Sequence, residues 1–146
     1  MTKSLPAAFA VLALALASSG ALAAPYFRTD GVKAFADAKA AAKPIFLVFT
    51  GPTWCAPCAS LEKEVFSTKE FRAYAEARFI LLKVEFPEPV IEAKPADEFL
   101  YKYITPPLQL PVIVVIDSHG KKLGQTGYGE GGPNELRKEL DKFVAK

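Results

Sequence analysis

Cys55 and Cys58 are the only cysteines in this 146-residue chain, and they stand three apart in Trp54-Cys55-Ala56-Pro57-Cys58. Upstream runs Ile45-Phe46-Leu47-Val48-Phe49, a continuous apolar stretch of the kind that forms a strand buried on both faces. The strand is expected to hand over, through Gly51-Pro52-Thr53, to a helix starting at about Cys55. There the first thiol would meet unpaired backbone N–H groups and the positive end of the helix dipole, which favour its thiolate. The second thiol would lie one helical turn deeper, within reach of a mixed disulfide formed at the first. Such a pair is built to exchange disulfides.

Other readings of the pair fit less well. A structural bridge across four residues would close a tiny ring and remove little entropy from the unfolded chain. Zinc needs about four ligands, and His119 is the one histidine available beside the two thiols. Covalent haem attachment would require a histidine after Cys58, where the chain has Ala59. Chance spacing of two inert cysteines stays open as the bland alternative. His119 itself reads as a turn residue and is given no catalytic role.

The first residues bear on compartment. Lys3 supplies a positive start, Leu5 to Ala17 is apolar, and Ala21-Leu22-Ala23 has the small-x-small form of a cleavage site. That order is expected of a secretory signal peptide, residues 1–23, cut after Ala23. The apolar stretch is short for a membrane span, so stable membrane insertion is not expected. Residues 24–146 then form one domain, exported to the periplasm or an equivalent space. The formal net charge of +2 offers no basic patch for nucleic acid. One close cysteine pair in an exported chain points to thiol chemistry rather than to a stapled scaffold.

The remaining elements must position the pair. Asp30 is expected to cap a helix reaching about Ala42, with Val32, Phe35 and Ala36 on its apolar positions, and Pro44 stops it. Leu61, Val65 and Phe66 give the helix after Cys55 an inward stripe, and Ser67 with Glu70 reads as a capping box for a helix to about Arg78. Phe79 to Phe86 is expected as a second central strand. Residues 87–95, with Pro87, Pro89 and Pro95, read as a surface loop, and Ala96 to Tyr103 as a short helix. Val112 to Ile116 is strongly β-branched and reads as a third strand, joined through the turn at Asp117-Ser118-His119-Gly120 to a weaker one at Lys122 to Thr126. A last helix opens at Pro133, with Leu136, Leu140, Phe143 and Val144 on one face. The order gives a parallel strand pair joined by a crossover helix, then a hairpin. This is an α/β fold, a three-layer sandwich whose central mixed sheet is flanked by helices.

The run Phe49-Thr50-Gly51-Pro52-Thr53-Trp54-Cys55-Ala56-Pro57-Cys58 and the later Leu110-Pro111-Val112, in that element order, resemble the thioredoxin superfamily from about Gly31 to the C-terminus. Cys58 to Phe66 is also similar to exported members related to the C-terminal domain of the membrane electron carrier DsbD. The resemblance implies a thioredoxin fold and a thiol–disulfide oxidoreductase in which Cys55 attacks and Cys58 resolves. It implies no cofactor beyond a redox-active Cys55–Cys58 disulfide and no metal. Its partners would be disulfide-containing proteins and a membrane electron donor of the DsbD type.

By the same resemblance Pro111 matches the cis proline that faces the dithiol, which would leave the Leu110 backbone free to pair with an extended substrate. The alternative for Pro111 is a strand-edge breaker. Trp54 would present an apolar contact to partners, or simply fill space. Gly51 and Pro52 read as plain loop. One departure stands out: thioredoxins carry a buried aspartate six residues before the first cysteine, and this chain has Phe49. Glu62, one turn beyond Cys58, is a substitute proton acceptor, or else a solvated glutamate pairing with a lysine. With no charge between the cysteines, the direction expected is reduction of protein disulfides. A dedicated reductant in cytochrome c maturation, a disulfide oxidant or isomerase, and a thioredoxin-fold binding module are the rivals.

Overall fold

A computed structural model describes residues 26–88, 97–129 and 131–145. The expected signal peptide at 1–23 and most of the expected loop at 87–95 lie outside the described residues.

β1 (Ile45–Thr50) is buried along its whole length and sits inside a four-stranded sheet of order β2-β1-β3-β4. β2 (Ile80–Glu85) runs parallel to it, and β3 (Val112–Ile116) antiparallel, pairing Phe49 with Val112 and Ile45 with Ile116. β4 (Lys122–Thr126) closes the far edge as a hairpin partner of β3, with an irregularity in register beside Val115 and Ile116. The outer edge of β2 is met by Arg28, whose N–H donates to Leu81 O and whose carbonyl accepts from Lys83.

Alternation along the strands splits the core into two layers. Ile45, Leu47, Phe49, Leu82, Val114 and Ile116 face α1 (Gly31–Ala41) and a short 3-10 turn, Glu98–Tyr103. Phe46, Val48, Leu81, Ile113 and Val115 face α2 (Ala56–Leu61), α3 (Lys69–Arg78) and α4 (Gly132–Val144). Helices therefore cover both faces of a mixed sheet, the three-layer arrangement of the thioredoxin fold.

Several local expectations change. Asp30 caps α1 by accepting from Lys33 N–H, but the buried positions are Gly31, Ala34 and Ala38, while Val32 is 70% exposed and Ala36 is also exposed. The small residues face inward because Gly31 lies against Phe99, where an added Cβ would come within 3.0 Å of the ring. The capping box at Ser67 does not form. Ser67 ends the preceding helical segment, its hydroxyl donating to Lys63 O, and Thr68 caps α3 instead by accepting from Phe71 N–H. Phe79 is the extended residue that closes α3 rather than the start of β2. The helix to Tyr103 is 3-10, its turns closed by Leu100 N–H on Asp97 O and Ile104 N–H on Tyr101 O. In α4, Leu136 and Leu140 are buried, Phe143 is half-buried and Val144 turns to solvent.

Candidate active site

Cys55 stands at the N-cap of α2 in an extended conformation, with Pro57 in the first turn. The approach is held by two bonds to one carbonyl: Trp54 N–H and Cys55 N–H both donate to Gly51 O, at 3.1 and 2.8 Å. Ala59 N–H then donates to Cys55 O at 3.0 Å and starts the helix. Cys55 and Cys58 are joined as a disulfide, with Cα atoms 5.2 Å apart. Cys55 is 9% exposed and Cys58 1%, so the first cysteine is the more accessible of the two.

α2 continues without interruption into a π turn, Glu62–Phe66. Val65 and Phe66 in this turn are buried with Leu61, the inward stripe expected of the helix after Cys55. The turn also holds Glu62, whose Oε2 accepts from Lys83 Nζ at 2.9 Å. The Lys83 side chain is 11% exposed, lies 4.5 Å over the Phe27 ring and reaches Glu85 at 3.6 Å. Glu62 thus has the lysine partner that its alternative reading required.

The loop before Cys55 is fastened to the end of β2. Trp54 Nε1 donates to Phe86 O at 2.8 Å, Thr53 Oγ1 to Pro87 O at 3.2 Å, and Phe86 N–H to Thr50 O at 2.8 Å. Gly51 is more than a loop residue. A Cβ there would stand 2.5 Å from the Trp54 indole, so only glycine lets the ring lie flat on the backbone. A half-buried indole N–H needs a partner, a signal that the reading of Trp54 as an apolar contact or space filler did not use.

From the other side comes the segment entering β3. The Leu110 carbonyl lies 3.7 Å from Cys55 Sγ, and the Leu110–Pro111 and Pro106–Pro107 peptides are both cis. Leu110 is half-buried and Pro111 buried, so the carbonyl edge of Leu110 faces the sulfur while the proline ring packs beneath. Trp54, Leu108 and Leu110 rest on one apolar cluster with Phe49, which is fully buried. The Tyr101 ring lies tilted against Phe49, centroids 5.3 Å apart, and burial with nearby Asp97 pushes its phenol above the ordinary range. His119 lies apart in the β3–β4 turn, exposed, with its backbone N–H on Asp117 Oδ1. Among the described residues no three His, Cys, Asp or Glu side chains gather as metal ligands.

A disulfide at the head of a helix, faced by the strand entry of a mixed sheet, defines a class. Residues 32–144 match the thioredoxin-like domain family, and the chain belongs to it. Among individual proteins it is similar to the disulfide bond reductase DsbH of Chlamydia pneumoniae, 31% identical over 94 residues that cover 62% of this chain. The match takes in 55% of that protein, so the chain spans about half the length of this curated relative. A solved DsbH oxidoreductase superposes with a TM-score of 0.67 at 24% identity, over 89% of this chain and 92% of that one. The oxidised C-terminal domain of Neisseria meningitidis DsbD does so with a TM-score of 0.54 at 18% identity, over 80% and 97% respectively. At these identities the two structures speak for the fold.

Proposed function

We propose that this chain is a thiol–disulfide oxidoreductase that reduces protein disulfides. The observation that carries the reading is the Cys55–Cys58 disulfide at the N-terminus of α2, its outer sulfur facing the Leu110 carbonyl. The name of the Chlamydia relative, a disulfide bond reductase, points the same way.

In the reduced protein the Cys55 thiolate attacks one sulfur of a substrate disulfide. A Cys55–substrate bond forms, the substrate S–S bond breaks, and the first substrate sulfur leaves as a thiolate. Cys58, having lost its proton, then attacks Cys55 Sγ. The internal disulfide closes and the second substrate thiolate leaves. Two electrons pass from the dithiol to the substrate, and the protons of the two thiols end on the substrate sulfurs. Helix-terminal stabilisation of the Cys55 thiolate contributes on the order of 1 kcal/mol. Glu62, tethered by Lys83, is the candidate acceptor for the Cys58 proton. Trp54, Leu110 and Pro111 form the docking face, where an extended substrate pairs with the Leu110 backbone.

The place of action is the periplasm or another exported compartment, after removal of residues 1–23. N-terminal sequencing of the exported protein should begin at Ala24, and an intact Met1 there would overturn the cleaved signal peptide. Among the described residues no helix is long and apolar enough to cross a membrane. An exported reductant must be recharged from elsewhere, which makes a membrane electron carrier of the DsbD type its donor.

Equilibration against glutathione buffers tests the direction. Ala56 and Pro57 add no charge between the thiols, so the potential should lie below about −200 mV. A value near −120 mV, at the oxidising end of known dithiols, would make the protein an oxidant. Failure to reduce insulin at all would leave a binding module.

A further inference from the structure

Gln125 stands on β4 opposite Val114, and its side-chain amide treats Thr105 as a neighbouring strand would. Thr105 N–H donates to Gln125 Oε1 at 2.7 Å, and Gln125 Nε2 donates back to the Thr105 carbonyl at 3.0 Å. Lys122 Nζ braces the pair with bonds of 2.7 Å to Thr105 Oγ1 and 2.7 Å to Gln125 Oε1. The two opposed bonds hold the peptide units on both sides of Thr105.

Thr105 opens the segment Thr105-Pro106-Pro107-Leu108-Gln109-Leu110-Pro111. Its three prolines fix φ at three of the seven positions, which narrows the conformations open to it between the two ends. The far end runs into β3, which pairs with β1 from Val112 onward. The clamp at Thr105 is thus the second anchor of the span that carries the Leu110 carbonyl.

We infer that Gln125 is a positioning residue of the site: by clamping Thr105 it holds the Leu110 carbonyl against Cys55 and shapes the edge on which a substrate strand docks. The inference rests on the disulfide-exchange reading above. A carbonyl oxygen 3.7 Å from Cys55 Sγ accepts from the thiol and repels the thiolate, so it favours the protonated form. Releasing the span therefore makes Cys55 more acidic and docking weaker.

The test compares reduced wild type, Gln125→Met and Gln125→Glu. The rate of Cys55 alkylation by iodoacetamide is followed against pH, and insulin reduction is resolved into kcat and KM. In Gln125→Met, which loses both bonds, the alkylation midpoint should move down by about 0.5 pH unit. KM should rise about fivefold with kcat within about twofold. Gln125→Glu keeps the acceptor for Thr105 N–H and loses the donor, so its values should fall between. An unmoved midpoint with KM within about twofold of wild type in Gln125→Met would overturn the role. If that variant does not melt cooperatively, Gln125→Glu decides alone, and an unmoved midpoint there overturns it. Wild-type protein that fails to reduce insulin would sink the exchange reading instead, while the alkylation midpoint still reports on Gln125.

Discussion

Gly51→Ala is the sharpest perturbation of the site that leaves both sulfurs in place. The added Cβ would meet Cε2, Cζ2 and Nε1 of Trp54 at 2.5, 2.6 and 2.8 Å. Carbon atoms in good contact stand about 3.5–4.0 Å apart, so the indole must retreat by about 1 Å. That retreat stretches the 2.8 Å bond from Trp54 Nε1 to Phe86 O beyond useful length. Overpacking costs about 1–3 kcal/mol and the lost bond about 1 kcal/mol. The reduced freedom of the unfolded chain offsets about 0.4–1 kcal/mol of this. The net loss is about 1–3.5 kcal/mol, which lowers Tm by about 4–14 °C in a domain of this size. Trp54 is the chain's one tryptophan, so its fluorescence reports the displacement directly. The emission maximum should move to the red as the ring leaves its slot. A variant with unchanged emission and a Tm within about 2 °C of wild type would refute the argument that only glycine fits beneath the indole.

Alkylation of the reduced protein near neutral pH should modify Cys55 much faster than Cys58, since only Cys55 sits at the helix start near solvent. Cys58→Ser should accumulate mixed disulfides with partners and Cys55→Ser should not; equal reactivity of the two thiols would reverse this assignment. Glu62→Gln should slow resolution of a trapped mixed disulfide by about tenfold without moving the reduction potential, and an unchanged rate would leave Glu62 as the partner of Lys83 alone. Tyr74→Phe should cost about 1 kcal/mol near pH 7, because Tyr74 OH donates to Asp141 at 2.7 Å and ties α3 to α4. Burial and that carboxylate raise the Tyr74 phenol above its ordinary 10.0, so the fold prefers the neutral form. The stability this provides is complete below pH 10 and is lost as pH climbs through the folded value, and Tyr74→Phe should flatten that alkaline loss in denaturant melts.

The strand bounds at Ile45–Thr50, Val112–Ile116 and Lys122–Thr126 could be read from the sequence because each is dictated locally, by an apolar or β-branched run between turn residues. The dithiol was legible for the same reason, being a short motif at a strand end. What the chain did not reveal depends on residues far apart. Ser67 and Thr68 are both competent caps, and the π turn decides between them by carrying the helix one residue further. Val32 suits the apolar stripe by spacing, yet Phe99 dictates which face of α1 can approach. Gly51 gave no sign of its importance because its neighbour across space, the Trp54 ring, is placed by a bond to Phe86. Lys83 and Gln125 were invisible for a like reason: each matters through a partner about twenty positions away.

Because β3 runs against β1, the end of one strand lies beside the start of the other, and the Leu110 carbonyl arrives at a sulfur 55 positions earlier in the chain. Reactivity and selectivity therefore have different origins in time. A nascent or unfolded chain already carries both thiols within four residues and can exchange with whatever disulfide it meets. The edge that discriminates among partners exists only once the long-range β1–β3 pairing has closed, among the slower events in folding. Discrimination is thus a property of the finished fold, and partial unfolding would yield a less choosy reagent rather than a silent one.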